Sequence, residues 1–341
     1  MKVLVITIGD HHAGSTKYRI LQYVPLLQGR GVEFDYLHRR EIDAFTVRKA
    51  AETDIVFNQK ALFSFGLSKR IINSSRRVIF DFDDAIYTRP GKGYGWLTQK
   101  RITRRLHFWL LKSDLVMTAN RYLTQYALNH TSRVQTIPMS LNLDEWRPKE
   151  HPVFKTVTIG WAGSPGNLIN IERIEPVLAQ VMRRRRNVKL AIFSGSRPRL
   201  SVQFSYHPFR PEDEVRFVQQ LDIGLLPLVD EEHSRGKSPI KAIQYLACGV
   251  PVVGNVVGAT KDILNPRNSI AVNTEREWIS ALNGLIDNLE LARGLGKNGR
   301  ELVEQRHDMG KNCELLWECL MGTANTARGR PQSRLGERQR G

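Results

Sequence analysis

The stretch RGKSPIKAIQYLACGVPVV, residues 235–253, decides how the rest of the chain is read. Ser238 suits an N-cap and Pro239 the first helical position, so a helix is expected from there to Ala247 or Cys248. Gly249 ends it, and VPVVG is a short strand rich in β-branched residues. A helix followed at once by an apolar strand is one repeat of a parallel α/β sheet. The helix start offers free N–H groups and a positive dipole end, with Lys237 beside it and Lys241 in the first turn, which suits a diphosphate. Gly236 lets backbone approach a ligand closely. Gln244, one turn beyond Lys241 on the same face, can reach a group attached to that diphosphate. The alternative is a plain capped helix with two solvated lysines. A lysine in the first turn has the wrong sign for the dipole, which favours an anionic partner.

Outward from this stretch the same alternation repeats. Apolar runs at 3–8, 32–37, 54–58, 78–81, 115–119 and 134–137 read as strands buried on both faces. Ile20, Val24 and Leu27 recur at helical spacing, with Gly29 and Gly31 to end that helix. LNLDEWRPKEHPVFK, 141–155, reads as a polar linker, after which the pattern restarts with strands at 157–162, 188–193, 223–226, 250–253 and 269–272. The expectation is an α/β fold of two Rossmann-like, doubly wound domains facing a cleft, residues 1–148 and 152–306. Neither half carries GxGxxG, so a nicotinamide dehydrogenase is poorly supported.

Composition sets the outer limits. The chain has 341 residues, 41% of them hydrophobic, enough for two cores. The three cysteines lack paired spacing and read as reduced thiols of a cytoplasmic protein. The apolar start MKVLVITIGD is too short for a signal peptide and reads as a buried first strand. A formal net charge of +17 favours a polyanion, an acidic membrane or a phosphorylated substrate, and no aromatic-basic motif speaks for nucleic acid. Residues 323–341 read as a disordered basic tail, with five arginines against one glutamate from 327 onward.

Residues 235–253 resemble the donor segment of GT-B glycosyltransferases related to retaining family 4 (group 1). There, a strand ending in Pro (DIGLLPL here) precedes a loop, a helix and an A-C-G-x-P-V-V run. The GKSPxK…YxAxGxPVV form present here resembles a subset of such enzymes. GWAGSPGN resembles the start of their second domain, SDLVMTANRYLTQY…VQTIPMSLNLDEW the end of their first, and RHDMGKNCELLWECL, with a helix at 308–322, the segment that crosses back to the first domain. The family's two glutamates, separated by seven residues, fall here on Gly236 and Gln244, with Glu231 and Glu232 just upstream.

The resemblance implies transfer of a sugar from a nucleotide-diphosphate sugar to a hydroxyl acceptor, a glycan or lipid-linked glycan, with retention and without a metal or other cofactor. It implies an N-terminal acceptor domain and a C-terminal donor domain. Lys237, Lys241 and the helix start would neutralise the leaving diphosphate, with Gly163 and Ser164 placing backbone N–H groups near it. The alternatives are a nucleotide-sugar epimerase and a non-catalytic nucleotide-sugar-binding or membrane scaffold protein.

VIFDFDDAIY, 78–87, ends in Asp81, Asp83 and Asp84. It superficially matches a phosphatase nucleophile motif, but lacks the usual Gly-Thr and falls on the fourth strand rather than the first. A metal-holding DxD under a diphosphate would suit a single-domain transferase, not a two-domain repeat. In a two-domain cleft, Asp83 and Asp84 would face sugar or acceptor as catalytic carboxylates; the alternative is that they pair with a nearby arginine. GSTKYR, 14–19, opens the first helix at the cleft, so Ser15, Thr16, Lys17 and Arg19 are acceptor or phosphate candidates, and Ser15 equally a helix cap. His11 and His12 lie in the same loop as acid/base candidates. TQKRITRRLHFWLLK, 98–112, has a basic face with one aromatic, which suits an anionic membrane surface and a peripheral position on its inner face. A core helix with a solvated basic back is the alternative.

Overall fold

The structure is a computed structural model, and it describes residues 1–10, 13–91, 93–148 and 156–325. Two all-parallel six-stranded sheets form it. The first contains β1 (Lys2–Thr7), β2 (Glu33–His38), β3 (Ile55–Gln59), β4 (Val78–Phe82), β5 (Leu115–Thr118) and β6 (Val134–Thr136), in the order β2-β1-β3-β4-β5-β6. The second contains β7 (Val157–Ala162), β8 (Val188–Ser194), β9 (Ser205–Pro208), β10 (Ile223–Leu226), β11 (Val252–Gly254) and β12 (Ser269–Ala271), in the order β12-β11-β10-β7-β8-β9. Strand order reverses beside β1 and β3 in the first sheet and beside β7 and β10 in the second. Crevices open there at the carboxyl ends of the strands, where ligands of such sheets bind.

The interior strand runs are buried because helices cover both faces; β2 and β6, expected to be buried as well, are edge strands and stay half-buried or exposed. Leu4, Ile6, Phe80 and Trp109 lie in a core on one side of the first sheet, and Val3, Val5, Tyr23 and Leu316 on the other. The last helix, Met309–Asn325, supplies Leu316 and Leu320 to that second core. Its Asn312 amide donates to Pro138 O, and Arg77 Nε donates to Thr323 O. Residues 323–325, expected in the tail, continue this helix; residues 326–341 lie outside the described residues.

Three local expectations are corrected. The helix around Ile20–Leu27 is broken into Gly14–Arg19, a 3-10 turn Leu21–Tyr23 and Val24–Gln28. Pro25 sits at the start of the last piece, where its missing N–H is tolerated. β9 went unread because SYHP is short, half-exposed and ends in Pro. The first half of the linker is packed rather than loose: Leu141 bridges to Asp308, and Trp146 is buried in the core of the second sheet. Residues 149–155 lie outside the described residues.

Candidate active site

The two sheets face each other across a cleft of about 730 Å³. Loops after β1 and β4 line one side, and those after β7 and β10 together with the helix Ile240–Ala247 line the other.

On the N-terminal side, one ammonium organises three oxygen groups. Lys60 Nζ donates to Asp83 at 2.5 Å, Asp84 at 2.7 Å and Ser15 Oγ at 2.8 Å, and Ser15 Oγ donates to Asp83 at 2.6 Å. Lys60 follows β3 and is the only non-glycine among the described residues with a left-handed backbone, φ +43°. That strain aims its side chain across the ends of β1 and β4. Burial disfavours its charge, but Asp83 and Asp84 outweigh burial and hold its pKa above the ordinary lysine value. Burial likewise opposes the Asp84 carboxylate, and Lys60 and Lys237 hold its pKa below the ordinary value. Both carboxylates line the cleft, Asp83 almost wholly buried and Asp84 with part of its surface free.

Asp81, the first carboxylate of the run, has a separate task. It accepts from both Arg19 Nε and Nη2 in a fully buried pair, and Arg19 Nη1 donates to Ile137 O. Arg19 therefore ties the first helix to β4 and to the residue that follows β6, and is withdrawn from ligand. Thr16 is withdrawn too: its buried hydroxyl donates to Gln59 Oε1 at 3.0 Å. Of the four cleft candidates on this helix, Ser15 and Lys17 line the cleft. His11 and His12 lie outside the described residues.

On the C-terminal side, Pro239, not Ser238, takes the N-cap position, and the helix begins at Ile240. Ser238 Oγ instead donates to Asp83 O at 2.6 Å, joining the domains at the floor of the cleft. Gly236 is needed for the same junction. A Cβ there would lie 2.6 Å from that of Ala85, so the close approach it permits is to the other domain, not to a ligand. Lys237 lines the cleft and donates to Asn167 Oδ1 at 2.8 Å, a neutral partner. Burial pulls its pKa below the ordinary lysine value, and Asp84 only partly offsets that. An ammonium held this way gains from an arriving anion.

Lys241 lines the cleft but donates to Glu214 at 2.7 Å. Glu214 also accepts from Tyr18 OH at 3.0 Å, and Tyr18 OH accepts from Gln244 Nε2 at 3.0 Å. Burial raises the Glu214 carboxyl, yet Lys241 outweighs it and holds its pKa low. Gln244 is fully buried in this network, with Oε1 unpartnered, and is not among the cleft-lining residues. Gly163 and Ser164 line the cleft. The Gly163 N–H, however, is already bonded to Phe193 O at 3.0 Å, and a Cβ at Gly163 would strike the Trp161 ring.

Sequence reasoning missed Lys60, Tyr18, Asn167 and Glu214. Only Lys60 left a trace, as a lysine next to a strand end. Among the described residues no cluster of three or more His, Cys, Asp or Glu could hold a metal ion. Between Asp83 and Asp84 the position of a cation is taken by the Lys60 ammonium.

Residues 157–288 match the family model described as Glycosyl transferases group 1. A 116-residue stretch is 26% identical to the putative teichuronic acid biosynthesis glycosyltransferase TuaH of Bacillus subtilis (strain 168), covering 33% of this chain and 26% of that protein. The match thus spans about a quarter of the curated relative's length. Among solved structures, the chain is similar to a sucrose-phosphate synthase from Thermosynechococcus elongatus, with TM-score 0.73 and 14% identity over 94% of this chain and 98% of that one. It is also similar to HepE of Anabaena in complex with UDP and glucose, with TM-score 0.71 and 13% identity over 94% and 100%. At such identities the likeness is one of fold, and that fold is the two-domain GT-B architecture.

Proposed function

Starting from a chain with the GT-B fold whose residues 157–288 match group 1 glycosyl transferases, we propose that this protein moves a sugar from a nucleoside-diphosphate sugar to a hydroxyl acceptor. The observation that carries this is the opposition, across one cleft, of an under-partnered Lys237 and a helix start to the Ser15–Lys60–Asp83–Asp84 cluster. The diphosphate would lie against Lys237 and the first turn of Ile240–Ala247, which stabilise the charge that develops on the leaving group. Lys241 would join them by exchanging Glu214 for phosphate. Asp84, the carboxylate that still faces the cleft, would orient the acceptor hydroxyl or stabilise positive charge at the sugar carbon. Asp83 is a positioning residue that fixes Lys60 and Ser15. In a retaining reaction the hydroxyl attacks from the face the diphosphate leaves, and its proton passes to a phosphate oxygen. Lys60 between the carboxylates favours a reaction without a metal at this point. The name of TuaH, a putative teichuronic acid biosynthesis glycosyltransferase, suggests a cell-envelope polysaccharide or a related glycan as acceptor.

Thermal unfolding with UDP, GDP and dTDP and their sugars, each with magnesium and with EDTA, tests the donor site. One nucleotide at a hundred times its Kd is expected to stabilise by about 2.7 kcal/mol. The shift should survive EDTA and vanish in Lys237→Ala. A shift that EDTA abolishes overturns the metal-free reaction, and no shift with any nucleotide overturns the donor site. The anomeric configuration of the product, read by NMR, decides retention. The Glu214–Lys241 pair, which occupies an ammonium expected at phosphate, favours one other reading, a nucleotide-sugar-binding protein without turnover. It predicts the same thermal shift and no transfer to any acceptor.

A further inference from the structure

We propose that Lys17 is a positioning residue that frees Lys241 for the donor diphosphate by taking over the carboxylate of Glu214. The inference rests on the donor site proposed above. Without a ligand, Lys241 is committed: its ammonium donates to Glu214 Oε1 at 2.7 Å. It can turn to phosphate only by leaving that carboxylate. The Glu214 side chain is 7% exposed, and a buried carboxylate stripped of its cation is costly. The exchange therefore needs a second cation to replace the first.

The neutral groups around Glu214 bring no charge. Tyr18 OH already donates to its Oε2 at 3.0 Å, and Gln244 Nε2 is spent on Tyr18 OH. Three lysines line the cleft. Lys237 stands on the donor side, held by Asn167 and facing the diphosphate. That leaves Lys17. Its ammonium makes no hydrogen bond or ion pair among the described residues and lies over the Tyr18 ring, 5.0 Å from the centroid. The hydroxyl of that same ring is the one Glu214 holds. Burial opposes the Glu214 carboxylate, and Lys241, followed by Lys17, holds its pKa below the ordinary value. Lys17 is thus already within electrostatic reach. Its flexible four-carbon stem lets the ammonium swing onto Glu214 without a backbone shift.

The exchange also changes which parts of the molecule are tied together. Lys241 and Glu214 both belong to the second domain, whereas Lys17 lies on the first helix of the N-terminal domain. Arrival of the diphosphate turns an ion pair within one domain into an ion pair between the two. Donor binding then draws the N-terminal side of the cleft onto the donor.

The test is calorimetric titration of the full chain with UDP, GDP and dTDP, in the wild type, Lys17→Met, Lys17→Arg, Glu214→Gln and the double variant Lys17→Met with Glu214→Gln. Circular-dichroism melting confirms that each is folded. For the nucleotide that the wild type binds, Lys17→Met should bind at least about tenfold more weakly, the scale of one lost charge-assisted hydrogen bond. Lys17→Arg should keep most of the affinity. Glu214→Gln leaves no carboxylate to neutralise, so it should bind at least as tightly as wild type, and adding Lys17→Met to it should cost little. A pH series on Lys17→Met gives the same answer without the Glu214 variants. With Lys17 gone, Glu214 has to take up a proton when Lys241 leaves, so the loss of affinity should shrink as pH falls. The other titratable groups facing Glu214, namely Lys241, Tyr18 and Tyr245, keep their charge state in that range. Equal affinity in Lys17→Met and wild type overturns the proposal. So does a loss that is the same with Glu214 and with Gln at 214, or constant with pH, since either would put Lys17 on the phosphate itself. Absence of binding of every nucleotide to the wild type would instead overturn the donor site, and this inference with it.

Discussion

Lys60 carries more of the site than any residue picked out by motif, because two carboxylates and a hydroxyl depend on one buried ammonium. Lys60→Met leaves Asp83 and Asp84 without their counter-charge, and a loss of about 3–5 kcal/mol is expected near neutral pH. The pH dependence has a definite sign. The Asp84 pKa is depressed in the folded protein, so its contribution is present above the unfolded carboxylate value and is lost as pH falls through the depressed one. Without Lys60 that depression goes, the carboxyl protonates more readily, and the penalty should shrink as pH falls toward 4. Urea unfolding of both proteins over a pH series measures this; a penalty that stays constant with pH would count against the pairing. Arg19 gives the opposite kind of prediction. Arg19→Ala should cost a similar about 3–5 kcal/mol in thermal unfolding through the orphaned Asp81, with donor-nucleotide affinity, measured by calorimetry below the melting range, unchanged.

At the scale of the element, the interdomain junction rests on missing side chains. Gly236→Ala would push a methyl into Ala85, and a weaker donor-induced thermal shift is expected because Lys237 follows directly. Ala85→Gly in the same chain should restore part of that shift, which a purely local helix effect would not do. Gly249 ends the helix with φ +70°, so Gly249→Ala should cost about 1–2 kcal/mol in thermal unfolding while leaving nucleotide binding alone.

The same elements show what could be read in advance. Eleven strands were legible because each is an apolar run between turn residues, and the helix–Gly–strand run 240–254 was legible because Gly249 and VPVV punctuate it. β9 lacks such a run. Side-chain commitments were not legible at all. Arg19 and Thr16 look like cleft residues until Asp81 and Gln59 are brought beside them, and Glu214 meets Tyr18 from 196 positions away. A pattern of types along the chain does not encode which of several buried polar groups will find which partner.

At the scale of the molecule, Tyr18 joins the two halves through Glu214 and Gln244. Tyr18→Phe removes both bonds and leaves buried polar groups short of a partner, at a cost of about 1–3 kcal/mol. In small-angle scattering the ligand-free variant should show a larger radius of gyration than wild type, and donor nucleotide should bring the two together. Equal radii without ligand would mean that the other bonds between the halves, among them Ser238 Oγ to Asp83 O and Asn120 Nδ2 to Gly236 O, hold the junction without Tyr18.

The helix Met309–Asn325 has a further consequence, for synthesis. Domains commonly fold in order as they leave the ribosome. Here the first sheet emerges early, but one of its apolar faces lacks Cys313, Leu316 and Leu320 until the whole second sheet has also been made. Until then that face is open to water and to other nascent chains. A premature stop anywhere before residue 309 would leave it open for good, so truncated products should be recognised by chaperones and proteases rather than persist as a free N-terminal domain.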